Sequence, residues 1–118
     1  MKKFLTLIFM IAWASSANAA YVTGEMLSRY CSSEKPTDMV SCANYIAGII
    51  DYHVFMQSIG TASEYGFCLP NNITIEEVSF TVMKYLKDSP QQYAFIAAPS
   101  VIMALNKEYP CGKTIQKK

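Results

Sequence analysis

The residues of this chain whose types most directly suggest nucleophilic or metal chemistry are four cysteines and the one histidine, His53. The cysteines are Cys31, Cys42, Cys68 and Cys111, and no two of them form a C-x-x-C pair. Structural zinc sites usually take four cysteine or histidine ligands that come in closely spaced pairs, so this spacing argues against zinc. We expect neither a metal nor a cofactor.

A cysteine or serine nucleophile would need His53 as its base. The helix pattern described below puts His53 on an apolar stripe, so we interpret it as a core or interface histidine. A cysteine nucleophile must also be a thiolate, whereas these cysteines are expected to be oxidised. Glu76 and Glu77 are interpreted as first-turn acids that favour the helix dipole rather than as a pair for general acid–base catalysis. Because the chain also lacks a glycine-rich phosphate loop, the sequence predicts that the protein is not an enzyme.

The first residues have the order of a secretory signal peptide. Lys2 and Lys3 precede the apolar run Phe4–Trp13, and the small-residue site Ala17-Asn18-Ala19 follows. This order predicts cleavage after Ala19 and export to the bacterial periplasm. The apolar run is much shorter than the roughly 20 residues that span a bilayer, so we expect no membrane association after cleavage. We therefore assign residues 1–19 to a signal peptide.

The remaining residues, 20–118, are enough for one domain. The whole chain has a formal net charge of +1, and the signal segment carries two lysines and no acid, which leaves −1. Such a balance argues against nucleic acid, which requires a basic surface. A domain of this size buries only about two-thirds of its unfolded surface, so covalent constraints are useful.

Four cysteines in an exported chain predict two disulfides. Three pairings are possible, and the sequence alone does not choose among them. We favour Cys31–Cys42, which would tie a short helix to the start of the central helix, and Cys68–Cys111, which would tie a loop to the chain end. Each disulfide is expected to stabilise the fold by about 2–4 kcal/mol.

Val40–Ser58 is predicted to be a central helix that the rest of the chain covers. One side is an apolar stripe of Cys42, Tyr45, Ile46, Ile49, His53 and Met56, and beside it lies a second stripe of Ala43, Ala47, Ile50 and Val54. A narrow polar strip contains Ser41, Asn44, Gly48 and Asp51, with Phe55 in its middle. The apolar arc is wider than that of an ordinary surface helix, so the helix is central or shared with a second subunit. We expect Thr37 or Asp38 to cap it and Gly60 to follow its end.

A short helix, Thr23–Cys31, is predicted before the central one. After the central helix, Thr74 and Glu77 have the spacing of a capping box and start a helix that ends by Asp88. Ser89 and Gln92 have the same spacing, which predicts another helix over residues 90–97.

Pro99 cannot lie in a regular helix interior, so we predict a separate last helix from Pro99 to Glu108. No stretch alternates with the period of a strand. The predicted fold is therefore all-α, a compact bundle of about five helices around the central apolar helix, stapled by disulfides.

The longest stretch without helical periodicity is Ile59–Asn72. Loops of more than about 12 residues are uncommon in compact domains and often functional, although a plain connection pinned by Cys68 is an equally weighted alternative. Phe55, Tyr65 and Phe80 also lack an obvious core role. If these aromatic residues cluster, they would mark a contact surface, but the sequence does not show whether they do.

Four segments of the chain match a known pattern. They are Cys42-Ala-Asn-Tyr45-Ile46-Ala-Gly48-Ile-Ile-Asp51, then Phe67-Cys68-Leu69-Pro70, then Tyr85-Leu86 leading to Pro90, and last Ala97-Ala98, Ala104-Leu105 and Tyr109-Pro110-Cys111. In this order, behind a signal peptide, they resemble the Rap/Tai immunity family, exported helical proteins associated with type VI secretion. The resemblance covers nearly all of residues 23–111.

The resemblance implies a homodimer that inhibits a peptidoglycan amidase toxin by occluding its active-site cleft. The expected partners are therefore a cognate amidase and a second copy of the chain. Within the matched segments, Gly48 is expected to allow close approach of another helix, and Asp51 to hydrogen-bond a loop. For the inserted loop we select Ile59–Gly66. The residues expected to contact the partner are Phe55, Ser63, Glu64, Tyr65 and Phe80.

A small periplasmic chaperone of the acid-stress type is the alternative, because such proteins are also helical, compact and dimeric. It should expose apolar surface reversibly when its carboxylates are protonated. Two disulfides and only nine acidic residues argue mildly against it. A purely structural envelope protein would neither bind an amidase nor respond to acid in this way.

Overall fold

The computed structural model describes residues 21–61 and 65–112. Within them lie four α-helices and a 3₁₀ turn: α1 Gly24–Ser32, α2 Pro36–Ser58, α3 Ile75–Asp88, the turn Pro90–Gln92 and α4 Ala97–Glu108. The helix α1 packs mainly on α2, and α3 packs mainly on α4. Contacts of α3 with α1 and α2 join the two pairs. The all-α prediction is confirmed, with four α-helices in the described residues rather than about five.

The start of α1 is docked on the segment that precedes α4. Thr23 caps α1 with its side chain. The Gly24 N–H donates to the carbonyl oxygen of Phe95 at 2.8 Å, and the Ala97 N–H donates to that of Val22 at 2.8 Å. These bonds satisfy backbone groups at both helix N-termini, which have no partner inside their own helices.

The start of α2 differs from the prediction. Lys35 is its N-cap without a side-chain hydrogen bond, and Pro36 is its first residue. The expected caps, Thr37 and Asp38, are instead inside the first turn. Proline has a backbone angle suited to the first helical position, so the helix begins earlier than the capping pattern indicated. The Asp38 carboxylate accepts a hydrogen bond from the Ser33 hydroxyl at 2.7 Å.

The end of α2 follows the prediction. Ser58 is its last residue, and Gly60 has a φ of +74°. The Thr61 N–H donates to the Met56 carbonyl at 2.9 Å, and the Gly60 N–H donates to that of Gln57 at 3.1 Å. This pair of bonds is a Schellman motif, which needs a left-handed residue that glycine supplies without a steric penalty.

The two apolar stripes of α2 are covered unequally. In the first stripe, Cys42, Ile46 and His53 are buried, and Tyr45, Ile49 and Met56 are half-buried. In the second, Ala43, Ala47 and Ile50 are half-buried, and Val54 is exposed. The predicted polar strip is exposed along its length, Phe55 included. Thus α2 carries more apolar surface than the described part of the chain covers.

The helix α3 begins at the predicted capping box. The Glu77 N–H donates to the Thr74 hydroxyl at 3.2 Å, and the Thr74 N–H donates to a Glu77 carboxylate oxygen at 2.9 Å. Val78, Val82 and Leu86 then form its buried side. Reciprocal capping therefore fixes where this face begins.

The region after α3 corrects two predictions. The expected helix over residues 90–97 is only the 3₁₀ turn, and Ser89 makes no side-chain capping bond. The last helix begins at Ala97, two residues before Pro99. Pro99 is its third residue, where a backbone N–H would have no partner inside the helix. The missing N–H therefore does not interrupt α4.

All four helices contribute to one core. Its fully buried apolar residues include Leu27, Ile46, Phe67, Val82, Leu86, Val101 and Leu105. Disulfides join Cys31 to Cys42 and Cys68 to Cys111, the two pairs that the sequence analysis favoured. The first joins the last turn of α1 to α2, and the second joins the segment before α3 to the residues after α4.

Candidate functional site

His53 fastens the segment that follows the loop Ile59–Gly66. Its Nε2 atom lies 3.2 Å from the Phe67 backbone nitrogen and 3.1 Å from the Phe67 carbonyl oxygen. That carbonyl already accepts from the Gln57 side-chain amide at 3.2 Å. Since a backbone N–H can only donate, we assign Nε2 as the acceptor of the Phe67 N–H, which places the ring proton on Nδ1. The two rings also stack, with centroids 4.0 Å apart.

The same segment is fastened from α4 and the chain end. The Asn106 side-chain amide donates to the Gly66 carbonyl at 2.7 Å. The Cys68 N–H donates to the Tyr109 carbonyl at 2.8 Å, and Cys68 is bonded to Cys111. Because the Schellman motif holds the start of the loop, the framework fixes both of its ends.

The predicted partner-contact residues fall into two places. Phe55 near the end of α2 and Tyr65 beside the fastened segment are 56% and 65% exposed. Ser63 and Glu64 lie outside the described residues. Phe80, 62% exposed, instead lines a groove with Val40 at the start of α2. Val40 and Phe55 are 15 residues apart on α2, which corresponds to about 22 Å, so Phe80 and Phe55 do not form one cluster.

The groove beside Phe80 has a volume of about 470 Å³ and a mainly apolar lining. Its walls are the start of α2, the first half of α3 and the Cys31–Cys42 disulfide. Its wall residues include Met39, Val40, Ala43, Glu76, Ser79 and Phe80. The Ser79 hydroxyl oxygen is buried and has no hydrogen-bond partner among the described residues. Nothing in the sequence analysis anticipated this groove.

Asp51 and Gly48 make none of the expected contacts within the described residues. Asp51 is exposed, and the expected bond from its carboxylate to the loop stays a prediction. Gly48 is also exposed, and outside its own helical turn no described atom lies within 4 Å of the position that a Cβ would take there, so close approach of another helix at Gly48 also stays a prediction. The residues that do fasten the loop, Gln57 and Asn106, were missed, because their partners are backbone groups distant in the sequence.

Burial raises the pKa of the Tyr45 phenol above its ordinary value of 10.0.

Within residues 21–61 and 65–112, no three histidine, cysteine or acidic side chains are grouped closely enough to hold a metal ion. No helix in these ranges has both the length and the apolar character that crossing a membrane requires.

A comparison with protein-family models gives a match to the Rap1a immunity proteins over residues 23–111. The matched range begins at the cap of α1 and ends at Cys111, so it contains all four helices and both disulfides. No curated protein matches the chain, and no solved structure does.

Proposed function

The chain belongs to the Rap1a immunity protein family, and we propose that it is a periplasmic protein that inhibits a peptidoglycan amidase toxin delivered by type VI secretion. It binds the toxin in a stoichiometric complex and occludes the active-site cleft. The family match carries the immunity role. The amidase target and the occlusion mechanism go beyond the match and follow the resemblance of the four sequence segments.

The loop Ile59–Gly66 is the segment proposed to enter the cleft. Its support is the way the chain holds the loop ends, through the Schellman motif on one side and the bonds to Gly66 and Phe67 on the other. A segment fixed at both ends loses less conformational freedom on binding than one on loose stems. Phe55 and Tyr65 supply exposed aromatic surface at this end of α2, and aromatic residues are enriched at energetically important contacts.

Export to the periplasm is supported by two independent features. The N-terminal lysines, apolar run and small-residue site have the order of a signal peptide. All four cysteines are paired in disulfides, which persist in oxidising compartments. A toxin that cuts peptidoglycan would be met in that compartment.

The protein is also proposed to act as a homodimer. The second apolar stripe of α2, which ends at the exposed Val54, supports this, since soluble monomers rarely leave large contiguous apolar surfaces uncovered.

The test is an inhibition assay with the chain expressed with its own N-terminal segment and purified from the periplasm. It is titrated into purified peptidoglycan amidases, and release of cleaved peptides from cell-wall sacculi is measured. We expect one amidase to lose activity at a one-to-one ratio of chains, with a stable complex on a sizing column. If no amidase in a broad panel is inhibited and acid induces reversible dye binding instead, the chaperone alternative replaces this proposal.

A further inference from the structure

We propose that a second copy of this chain covers the groove between α2 and α3, through an antiparallel contact of the two α3 helices centred on Phe80. The inference rests on the homodimer of the proposed function and deepens it by naming the contact surface.

The surface offers both a hollow and a protrusion. Phe80 is 62% exposed and stands between the 470 Å³ groove and a second hollow of about 250 Å³. An interface between two identical chains related by a two-fold axis uses the same surface on both, so that surface must fit itself. Phe80 of each copy can then fill the groove of the other, so that both Phe80 rings become buried away from water.

The charges on α3 favour the antiparallel arrangement. Glu76, Phe80 and Lys84 follow one another at intervals of four residues, share one side of the helix and are all exposed. Glu76 lines the groove, and Lys84 lines the second hollow. When two such helices cross antiparallel at Phe80, Glu76 of each copy faces Lys84 of the other. A parallel crossing would bring like charges together, which is unfavourable.

In the part of the chain that the structure describes, the groove has a buried unpaired hydroxyl beneath its surface, and apolar surface of α2 extends beyond it. Ser79 lines the groove, and its hydroxyl oxygen is buried beneath that surface without a hydrogen-bond partner among the described residues. A buried polar group left unpaired is destabilising. A stable interface buries about 800 Å² per partner, more than the groove alone offers. The second stripe of α2, half-buried at Ala43, Ala47 and Ile50 and exposed at Val54, continues from the groove and supplies further apolar area.

The first experiment measures the mass of the purified protein in solution by light scattering and sedimentation, without any amidase. We expect a dimer at micromolar concentration and a monomer for Phe80→Asp. The control is Phe95→Asp, since Phe95 is also 62% exposed and lies outside both hollows. Circular dichroism and melting curves check that both variants fold.

The second experiment tests the antiparallel geometry with exposed residues. Glu76→Lys and Lys84→Glu should each raise the dimer dissociation constant by about tenfold, because each variant brings like charges together at two symmetric places. The double variant Glu76→Lys with Lys84→Glu restores opposite charges across the interface, so it should recover most of the affinity.

A monomeric wild-type protein, or a dimer that Phe80→Asp leaves intact, would overturn the proposed interface. The proposed interface would also be overturned if the double charge variant dimerised no more tightly than the two single variants. The amidase assay is separate: if the dimer behaves as expected and no amidase is inhibited, the immunity mechanism fails and the interface stands.

Discussion

His53 and Phe67, 14 residues apart in the chain, contact each other through both ring and backbone. Their rings stack 4.0 Å apart, and His53 Nε2 accepts the Phe67 N–H at 3.2 Å. His53 is 7% exposed and Phe67 is 2% exposed, so water cannot replace that bond. The one histidine of the chain therefore joins the central helix to the segment after the proposed toxin-facing loop.

Replacement of His53 by leucine should lower the free energy of unfolding by about 2 kcal/mol, because the Phe67 N–H would stay buried without an acceptor. Urea unfolding followed by circular dichroism measures the change. Tyr52→Leu is the control, since Tyr52 is adjacent in the sequence and 63% exposed, and it should change stability by less than about 0.5 kcal/mol. Equal effects of the two substitutions would contradict the role given to His53.

Replacing Gly24 and Gly48 by alanine should change the stability of the fold in opposite directions. A Cβ at Gly24 would press against the Gln92 carbonyl and lie 3.2 Å from Tyr93 Cα, so Gly24→Ala should destabilise the fold by about 1–3 kcal/mol. Gly48 lies inside α2 with open space around it, so Gly48→Ala should stabilise by about 0.5–1 kcal/mol. The melting temperature should be lower than that of wild type for Gly24→Ala and higher for Gly48→Ala, and the opposite change in either variant would contradict the corresponding prediction.

The two disulfides should differ in their rate of reduction. Cys68 and Cys111 are both exposed, whereas Cys42 is 1% exposed within the core. A thiol reductant needs access to a sulfur atom, so Cys68–Cys111 should open first under native conditions. Alkylation followed by peptide mass spectrometry identifies the free cysteines. Earlier labelling of Cys31 and Cys42 would show that the burial argument is wrong.

Stability at alkaline pH should depend on Tyr45. Burial raises the pKa of this phenol in the folded chain above 10.0, so the folded state keeps the proton at a pH where the unfolded state has released it. Its contribution to stability is intact below about pH 10 and is lost as the pH rises through the folded pKa. The urea midpoint of wild type should therefore fall more between pH 8 and 10.5 than that of Tyr45→Phe. The exposed Tyr52→Phe variant should behave like wild type.

Deletion of residues 63–65 tests the proposed loop. The deletion removes Ser63, Glu64 and Tyr65 but none of the groups that hold Gly66 and Phe67, so the helical circular dichroism should be unchanged. Affinity for the inhibited amidase should fall by at least tenfold, since Tyr65 would be among the anchors. Phe95→Asp is the control, since Phe95 takes part in none of the bonds that hold the loop ends. Undiminished affinity would remove the loop from the proposed interface.

Much of the fold could be predicted because the signals are local. The capping box at Thr74 and the glycine after α2 act over three or four residues, so the sequence contains all the groups involved. The buried stripe of α2 follows from helical periodicity in the same way. The early start of α2 at Pro36 and the absence of a helix over residues 90–97 were missed. At the start of α2, the preference of proline for the first helical position prevailed over the capping pattern. Over residues 90–97, the carbonyls of Tyr93 and Phe95 accept hydrogen bonds from the distant start of α1, which no local signal indicates.

The candidate site was less predictable. Phe55, Tyr65 and Phe80 could be identified as apolar residues without a core position, but their separation into two places depends on how α3 packs against α2. Gln57 and Asn106 carry no pattern that identifies their bonds, because a side-chain amide can donate to any carbonyl within reach.

The sequence by itself determined the helical class, the export-type N-terminus, the family and the apolar stripe around which the domain packs. These properties depend on composition, residue order and periodicity. Only the tertiary structure decided that His53 holds Phe67, that the second stripe of α2 is only partly covered, and that Phe80 stands beside a groove. Each of these results from bringing together residues far apart in the chain, and burial and hydrogen bonding act between neighbours in space.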